Sequence, residues 1–265
     1  MRLCASLLAL VAVGAASCGG SGDGGSKQDV PEKPPPTLAS RCGPEAKNLK
    51  AQLVWFRASD GTLLDGAAIG DGDVAVVLAH EYPSNLCPWL PYAKTLASHG
   101  FRAFAFDFRG LGASHSAKPY ADAGRYDWDV EAAAAEVRRL GAEKVFLAGA
   151  SAGGTAVLVA GASLSSAPAG IISFAGETYF SDTLDALKAA PKLNAPLLLL
   201  VARHDRYVTV GEYQKLESKA ASEDTRLAAY SGAWHGYDLL YTAPYRAQVN
   251  QLVLDFLNKH SDGGG

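Results

Sequence analysis

The sequence predicts an α/β fold: a mostly parallel central sheet with helices on both faces. Apolar runs of strand length alternate with longer helix-like segments along most of the chain, the pattern of strands paired in parallel through right-handed crossovers. One such run, Lys144-Val145-Phe146-Leu147-Ala148, leads through Gly149-Ala150-Ser151-Ala152-Gly153 into a small-residue helix. A G-x-S-x-G junction between strand and helix turns a serine out at the edge of a sheet. The chain has 265 residues, 48% of them hydrophobic and 19% charged, enough for the core of one globular domain.

The elements follow in order. Residues 53–58 and 64–69 read as an antiparallel opening pair turned by Ser59-Asp60-Gly61. Residues 74–79 begin the parallel part. Residues 88–99 read as a helix, 101–107 as a strand, and 128–140 as a helix rich in Ala and Glu. Residues 144–149 form the strand feeding the serine junction, and 152–164 the helix after it. Two further apolar strands, 170–175 and 196–202, are separated by about twenty residues, too few for a large inserted domain. Residues 209–221 read as a helix, 226–230 as the last strand and 244–259 as the closing helix. No internal repeat is visible.

A serine hydroxyl is almost wholly protonated at neutral pH. To attack a carbonyl it needs a base within hydrogen-bond reach and donors for the oxyanion that forms. The run 196–202 ends in Arg203-His204-Asp205, and the last strand is followed by Ser231-Gly232-Ala233-Trp234-His235-Gly236. Three strand ends of one parallel sheet can bring Ser151, Asp205 and His235 to a common edge as nucleophile, orienting carboxylate and base. His99, His115 and His260 lie in or beside helices or turns, away from a strand end.

Two more motifs follow successive strands: Val76-Val77-Leu78-Ala79-His80-Glu81-Tyr82-Pro83, and Ala105-Phe106-Asp107-Phe108-Arg109-Gly110-Leu111-Gly112-Ala113-Ser114. With the serine junction they resemble the H-G-x-P loop, the D-x-R-G-x-G-x-S turn and the nucleophile elbow of the α/β-hydrolase superfamily, over residues 51–260. Within it the chain is most similar to small bacterial esterases and dienelactone-hydrolase-like proteins. The resemblance implies an α/β-hydrolase fold without a large cap, and a serine hydrolase that cleaves carboxylic esters through an acyl-enzyme and needs no cofactor. It implies an oxyanion hole built from the backbone N–H groups of Tyr82 and Ala152, and a structural ion pair in the turn of Asp107 and Arg109. Some members carry the acid after the preceding strand, where this chain has Glu177 and Asp182. Glu81 stands where the family's loop has glycine, and is expected to face solvent or pair with Arg109, with a direct catalytic role as the alternative. Tyr82, Trp89, Tyr179 and Trp234 are candidate pocket residues. An open site suits a small-molecule or pendant ester. The same constellation cleaves amides, which makes a peptidase or amidase the second reading; a non-catalytic binding module is the third.

At the N-terminus, Met1-Arg2, an apolar run over 3–14 and Ala15-Ala16-Ser17 read as an export signal, residues 1–17, with an apolar run too short to span a bilayer. Cys18 at the cut resembles a bacterial lipobox, in which the thiol is lipidated. A cell-envelope lipoprotein attached to a membrane through Cys18 is therefore expected, with a secreted or periplasmic soluble domain as the alternative. Residues 18–40 read as a flexible Gly/Ser/Pro-rich tether and 41–262 as the catalytic domain. With Cys4 in the signal, Cys42 and Cys87 remain, and in an oxidising compartment they suggest one disulfide; two free thiols are the alternative. Cysteine and histidine spacings suggest no metal site. A net charge of -3 without a basic stripe gives no electrostatic basis for nucleic-acid binding.

Overall fold

The computed structural model describes residues 37–261. The expected export signal, the lipidation candidate Cys18, the expected tether up to residue 36 and the tail 262–265 lie outside the described residues. Helix α1 (Leu38–Cys42) comes first; the Thr37 side chain caps it by accepting the Ser40 N–H. Leu38 is buried in the core. Residues 38–40 therefore belong to the folded domain and not to the tether expected over 18–40.

Strands β1 (Ala51–Arg57) and β2 (Leu63–Ile69) pair antiparallel. Then come β3 (Val74–Ala79), a 3-10 turn at Cys87–Trp89, α2 (Leu90–Ser98), β4 (Arg102–Phe106), α3 (Tyr126–Arg139), β5 (Lys144–Ala150), α4 (Ala152–Ser163) and β6 (Gly170–Phe174). A short hairpin, β7 (Tyr179–Ser181) and β8 (Leu184–Asp185), leads into α5 (Ala186–Ala189). The chain closes with β9 (Leu197–Ala202), α6 (Val210–Lys219), β10 (Thr225–Tyr230), α7 (Asp238–Tyr241) and α8 (Arg246–Ser261).

The main sheet has the order β1-β2-β4-β3-β5-β6-β9-β10. It is antiparallel across β1, β2 and β4 and parallel from β4 to β10. The inner strands β6 and β9 are buried along their whole length, which explains their continuous apolar runs: a strand covered on both faces has no polar side to alternate. The chain steps one way from β3 to β4 and the other way from β4 to β5 and onward. Right-handed crossovers then put α2 on one face and α3 to α6 on the other. Accordingly α3 packs on α4, α4 on α5 and α5 on α6. Helix α8 contacts β6, and its Phe256 ring meets Phe146 edge-on at 6.3 Å. The reversal opens a crevice at the carboxyl ends of β3 and β5, where open α/β sheets hold their sites.

Local differences from the sequence reading have local causes. The helix expected over 88–99 is split, because Pro88 and Pro91 each open their own turn. The closing helix begins at Arg246 rather than at residue 244. The connection between β6 and β9 holds the β7–β8 hairpin and α5, and no large cap.

Cys42 and Cys87 form a disulfide across a sequence separation of 45, with Cα atoms 5.2 Å apart. Next to it, the Arg41 guanidinium pairs with buried Asp65 and with Asp107 at 3.4 Å. Asp107 also accepts the N–H groups of Leu86 and Ala113, each at 2.7 Å. The staple and this cluster hold the segment after β3 against the turn after β4. Closing a loop of that length restricts the unfolded chain by about 4 kcal/mol. Reduction, or Cys87→Ser, is expected to lower the unfolding free energy by roughly that amount, read from urea unfolding with and without reductant.

Candidate active site

Ser151 follows β5 directly and has φ 52° and ψ -125°, a conformation that costs a non-glycine residue about 1–3 kcal/mol. Its surroundings hold it there. The Ser151 N–H donates to Phe174 O on β6 at 3.0 Å, and Thr155 N–H donates to Ser151 O at 3.1 Å. Gly153 allows the close approach: a Cβ there would stand 2.3 Å from Ala79 O and 2.5 Å from His80 O. The elbow is thus pressed onto the end of β3, and a larger residue at Gly153 would push the two apart. Ser151 is mostly buried, and its hydroxyl has no hydrogen-bond partner among the described residues.

Asp205 begins the loop after β9. Its Oδ1 accepts the N–H groups of Tyr207 at 2.8 Å and Val208 at 3.2 Å. Its Oδ2 accepts His235 Nδ1–H at 2.8 Å, and the Asp205 side chain is fully enclosed. The ring nitrogen left over is Nε2. Burial pulls the His235 pKa down, but the Asp205 hydrogen bond and charge, followed by the charges of Glu81 and Glu177, outweigh it and leave the imidazole above its ordinary value. Of the alternative acids, neither Glu177 nor Asp182 hydrogen-bonds His235 among the described residues, although the charge of Glu177 reaches it. Asp182 takes the Tyr179 hydroxyl at 2.6 Å. Glu177 Oε2 is enclosed without a hydrogen-bond partner among the described residues, and burial raises its pKa.

The loop after β3 is fixed by His80. The Phe108 N–H donates to its Nε2 at 3.0 Å, so its proton sits on Nδ1 and is donated to Glu81 O at 2.6 Å. Burial lowers its pKa to about 4, which makes His80 a neutral tie between two loops. At the mouth of this crevice neither Tyr82 N–H nor Ala152 N–H donates to any acceptor among the described residues.

Several expectations need correction. Trp89 is a core residue, not a pocket wall: it is fully buried, with Tyr237 at 5.0 Å and Phe174 at 6.0 Å. Trp234 is partly buried against the core. Tyr82 and Tyr179 are exposed, and Tyr82 lies 6.0 Å from Phe180. Arg109 does not pair with Asp107. Its guanidinium forks onto Asp129 Oδ1 at 2.7 and 2.9 Å and reaches Asp60 at 2.8 Å. Glu81 neither faces solvent nor meets Arg109; it turns toward the His235 loop, where Tyr237 N–H donates to its Oε1 at 2.7 Å.

The sequence reading missed Tyr207, an exposed residue whose ring lies 4.6 Å from that of His235, and Tyr237. Each stands two positions after a candidate site residue, which is the available signal. Among the described residues no group of three or more His, Cys, Asp or Glu side chains is placed to hold a metal ion, and no helix is long and apolar enough to cross a membrane.

No curated protein matches the chain in sequence. Among solved structures, an esterase of Pyrococcus furiosus superposes with a TM-score of 0.70, covering 82% of this chain and 93% of its own at 16% identity. A monoacylglycerol lipase of Paleococcus ferrophilus gives 0.63, with 74% and 99% covered at 19% identity. Est1E of Butyrivibrio proteoclasticus, solved with ferulic acid bound, gives 0.66, with 78% and 99% covered at 15% identity. At these identities the likeness is one of fold. The family model Hydrolase_4, described as serine aminopeptidase, S33, matches residues 71–182 and 176–238. That match runs from just before β3 to just beyond His235 and takes in the whole carboxyl edge of the sheet, so the chain belongs to this family of α/β hydrolases and is a serine hydrolase.

Proposed function

We propose that the protein is an exported esterase in which Ser151, His235 and Asp205 act as a triad on carboxylic esters. The observation that carries this reading is the 2.8 Å hydrogen bond from His235 Nδ1 to Asp205, made at the sheet edge where Ser151 is turned out. Ser151 Oγ attacks the ester carbonyl while His235 Nε2 takes its proton, and the N–H groups of Tyr82 and Ala152 receive the oxyanion. Collapse expels the alcohol, which takes the proton back from His235. Water then attacks the acyl-enzyme, again giving a proton to His235, and the carboxylic acid leaves as Ser151 is restored. The connection between β6 and β9 holds no large cap, which suits small or pendant esters. The disulfide supports export, since such bonds persist in oxidising compartments, and Cys18 is the proposed lipid attachment point.

A covalent fluorophosphonate probe tests the chemistry. The parent is expected to be labelled and Ser151→Ala not, with kcat for nitrophenyl acetate lower by at least about ten-thousand-fold. A folded parent that takes no label rules the reading out. The family's description favours amide cleavage as a second reading. Aminoacyl anilides assayed beside the esters decide it, and a larger kcat/KM for the anilides would make the protein an amidase.

A further inference from the structure

Glu81 occupies the glycine position of the H-G-x-P loop, yet its side chain is built into the opposite loop. Its Oε1 accepts Tyr237 N–H at 2.7 Å, and its own N–H donates to the Tyr237 hydroxyl at 3.0 Å. Two hydrogen bonds of opposite sense thus join the loop after β3 to the loop after β10. Gly236 makes room for them: its φ is +49°, and a Cβ there would stand 1.8 Å from Glu81 Oε1. The residue directly after His235 therefore runs against the carboxylate. Tyr237 is itself anchored, edge-on at 5.0 Å to the buried Trp89 ring.

We propose that Glu81 is a positioning residue for the hydrolysis: its carboxylate clamps the His235 loop onto the loop bearing the Tyr82 N–H, and its charge stabilises the imidazolium that forms when His235 takes the serine proton. The inference rests on the triad reading given above. The Asp205 bond fixes Nδ1 but leaves the imidazole free to swing about that contact, and a displacement of about 1 Å at a reacting group can cost a hundredfold in rate. Pinning the backbone at residues 236 and 237 removes that freedom. The electrostatic surroundings agree. Acting on His235 are Asp205, Glu81 and Glu177, with the Tyr207 ring beside it; acting on Glu81 are Tyr237, His235, Asp238 and Asp205. Burial raises the Glu81 pKa, and the charges of Asp238 and Asp205 add to that, while the Tyr237 N–H and the charge of His235 work against it. No Lys or Arg is among these groups, so when Glu81 is ionised the one opposite charge it meets among them is the His235 imidazolium.

The test compares the parent with Glu81→Gly and Glu81→Gln as full-length proteins. It follows kcat and KM for nitrophenyl acetate against pH, and the titration of the His235 ring by NMR. Glu81→Gly is expected to lower the plateau kcat by about tenfold or more with KM little changed. Glu81→Gln, whose amide oxygen still accepts the Tyr237 N–H, is expected to recover most of that loss. In Glu81→Gln the missing charge should move the acid limb of kcat/KM and the His235 midpoint down by about half a pH unit or more. Glu81→Gly at the parent's rate, or Glu81→Gln as slow as Glu81→Gly with the His235 midpoint unmoved, overturns the inference alone. A parent that neither hydrolyses esters nor takes the serine probe overturns the triad reading and the inference with it.

Discussion

Asp205→Asn is expected to lower kcat by about a thousand- to ten-thousand-fold while leaving the fold in place. The carboxylate has two jobs on its two oxygens. Oδ1 holds the turn through Tyr207 and Val208 N–H, and Oδ2 takes His235 Nδ1–H. An asparagine oxygen can keep the two backbone bonds, which leaves its NH2 facing Nδ1. The imidazole must then accept at Nδ1 and carry its proton on Nε2, the nitrogen that serves as base in the proposed triad. The pH dependence has a definite sign as well. Burial lowers the His235 pKa, while Asp205, Glu81 and Glu177 together raise it above the ordinary value. Without the Asp205 charge that pKa falls, and since the base works only when neutral, the acid limb of kcat/KM moves to lower pH on a much lower plateau. Kinetics across both limbs check both effects. A loss below about tenfold would identify a different carboxylate as the orienting acid.

The second large effect concerns stability. Arg109→Met is expected to cost about 3–5 kcal/mol of unfolding free energy. Arg109 and Asp129 are both almost wholly buried, and besides the side-chain fork the Arg109 N–H donates to Asp129 Oδ2 at 2.9 Å. The same guanidinium reaches Asp60 in the turn between β1 and β2 and Asp122 O at 2.9 Å, so one side chain ties three segments together. Removing it strands a carboxylate in the interior. Burial already works to raise the Asp129 pKa, with Arg109 as its main opponent. Alone, Asp129 would take up a proton on folding, so the deficit of Arg109→Met should shrink as pH falls. The double variant Arg109→Met with Asp129→Leu should recover much of the loss, because an apolar pair has no buried charge to desolvate. Urea unfolding of the two single variants and the double variant measures this directly.

What was legible in the sequence was local. The Ser151 elbow could be read because it needs small residues at fixed offsets between a strand and a helix, and Asp205 and His235 could be named as candidates because each follows a recognisable strand. Arg109 shows the limit. Asp107, two residues away, was the obvious partner by proximity, but its oxygens are occupied by Arg41 and the Leu86 and Ala113 amides, and the guanidinium goes to helix α3 instead. Trp89 shows another: an aromatic residue near a site motif has the same composition whether it lines a pocket or fills the core, and only packing against Phe174 and Tyr237 decides it.

The sequence by itself determined the succession of strands and helices and the strand-to-helix elbow at Ser151, since periodicity and turn geometry are properties of short segments. The tertiary structure alone decided which charges meet. Glu81 turns inward because Gly236 and Tyr237, more than 150 residues further along the chain, fold back beside it and offer an unpaired N–H. Hydrogen bonds and ion pairs form between whichever groups burial brings within reach, and that proximity exists only once the sheet has assembled.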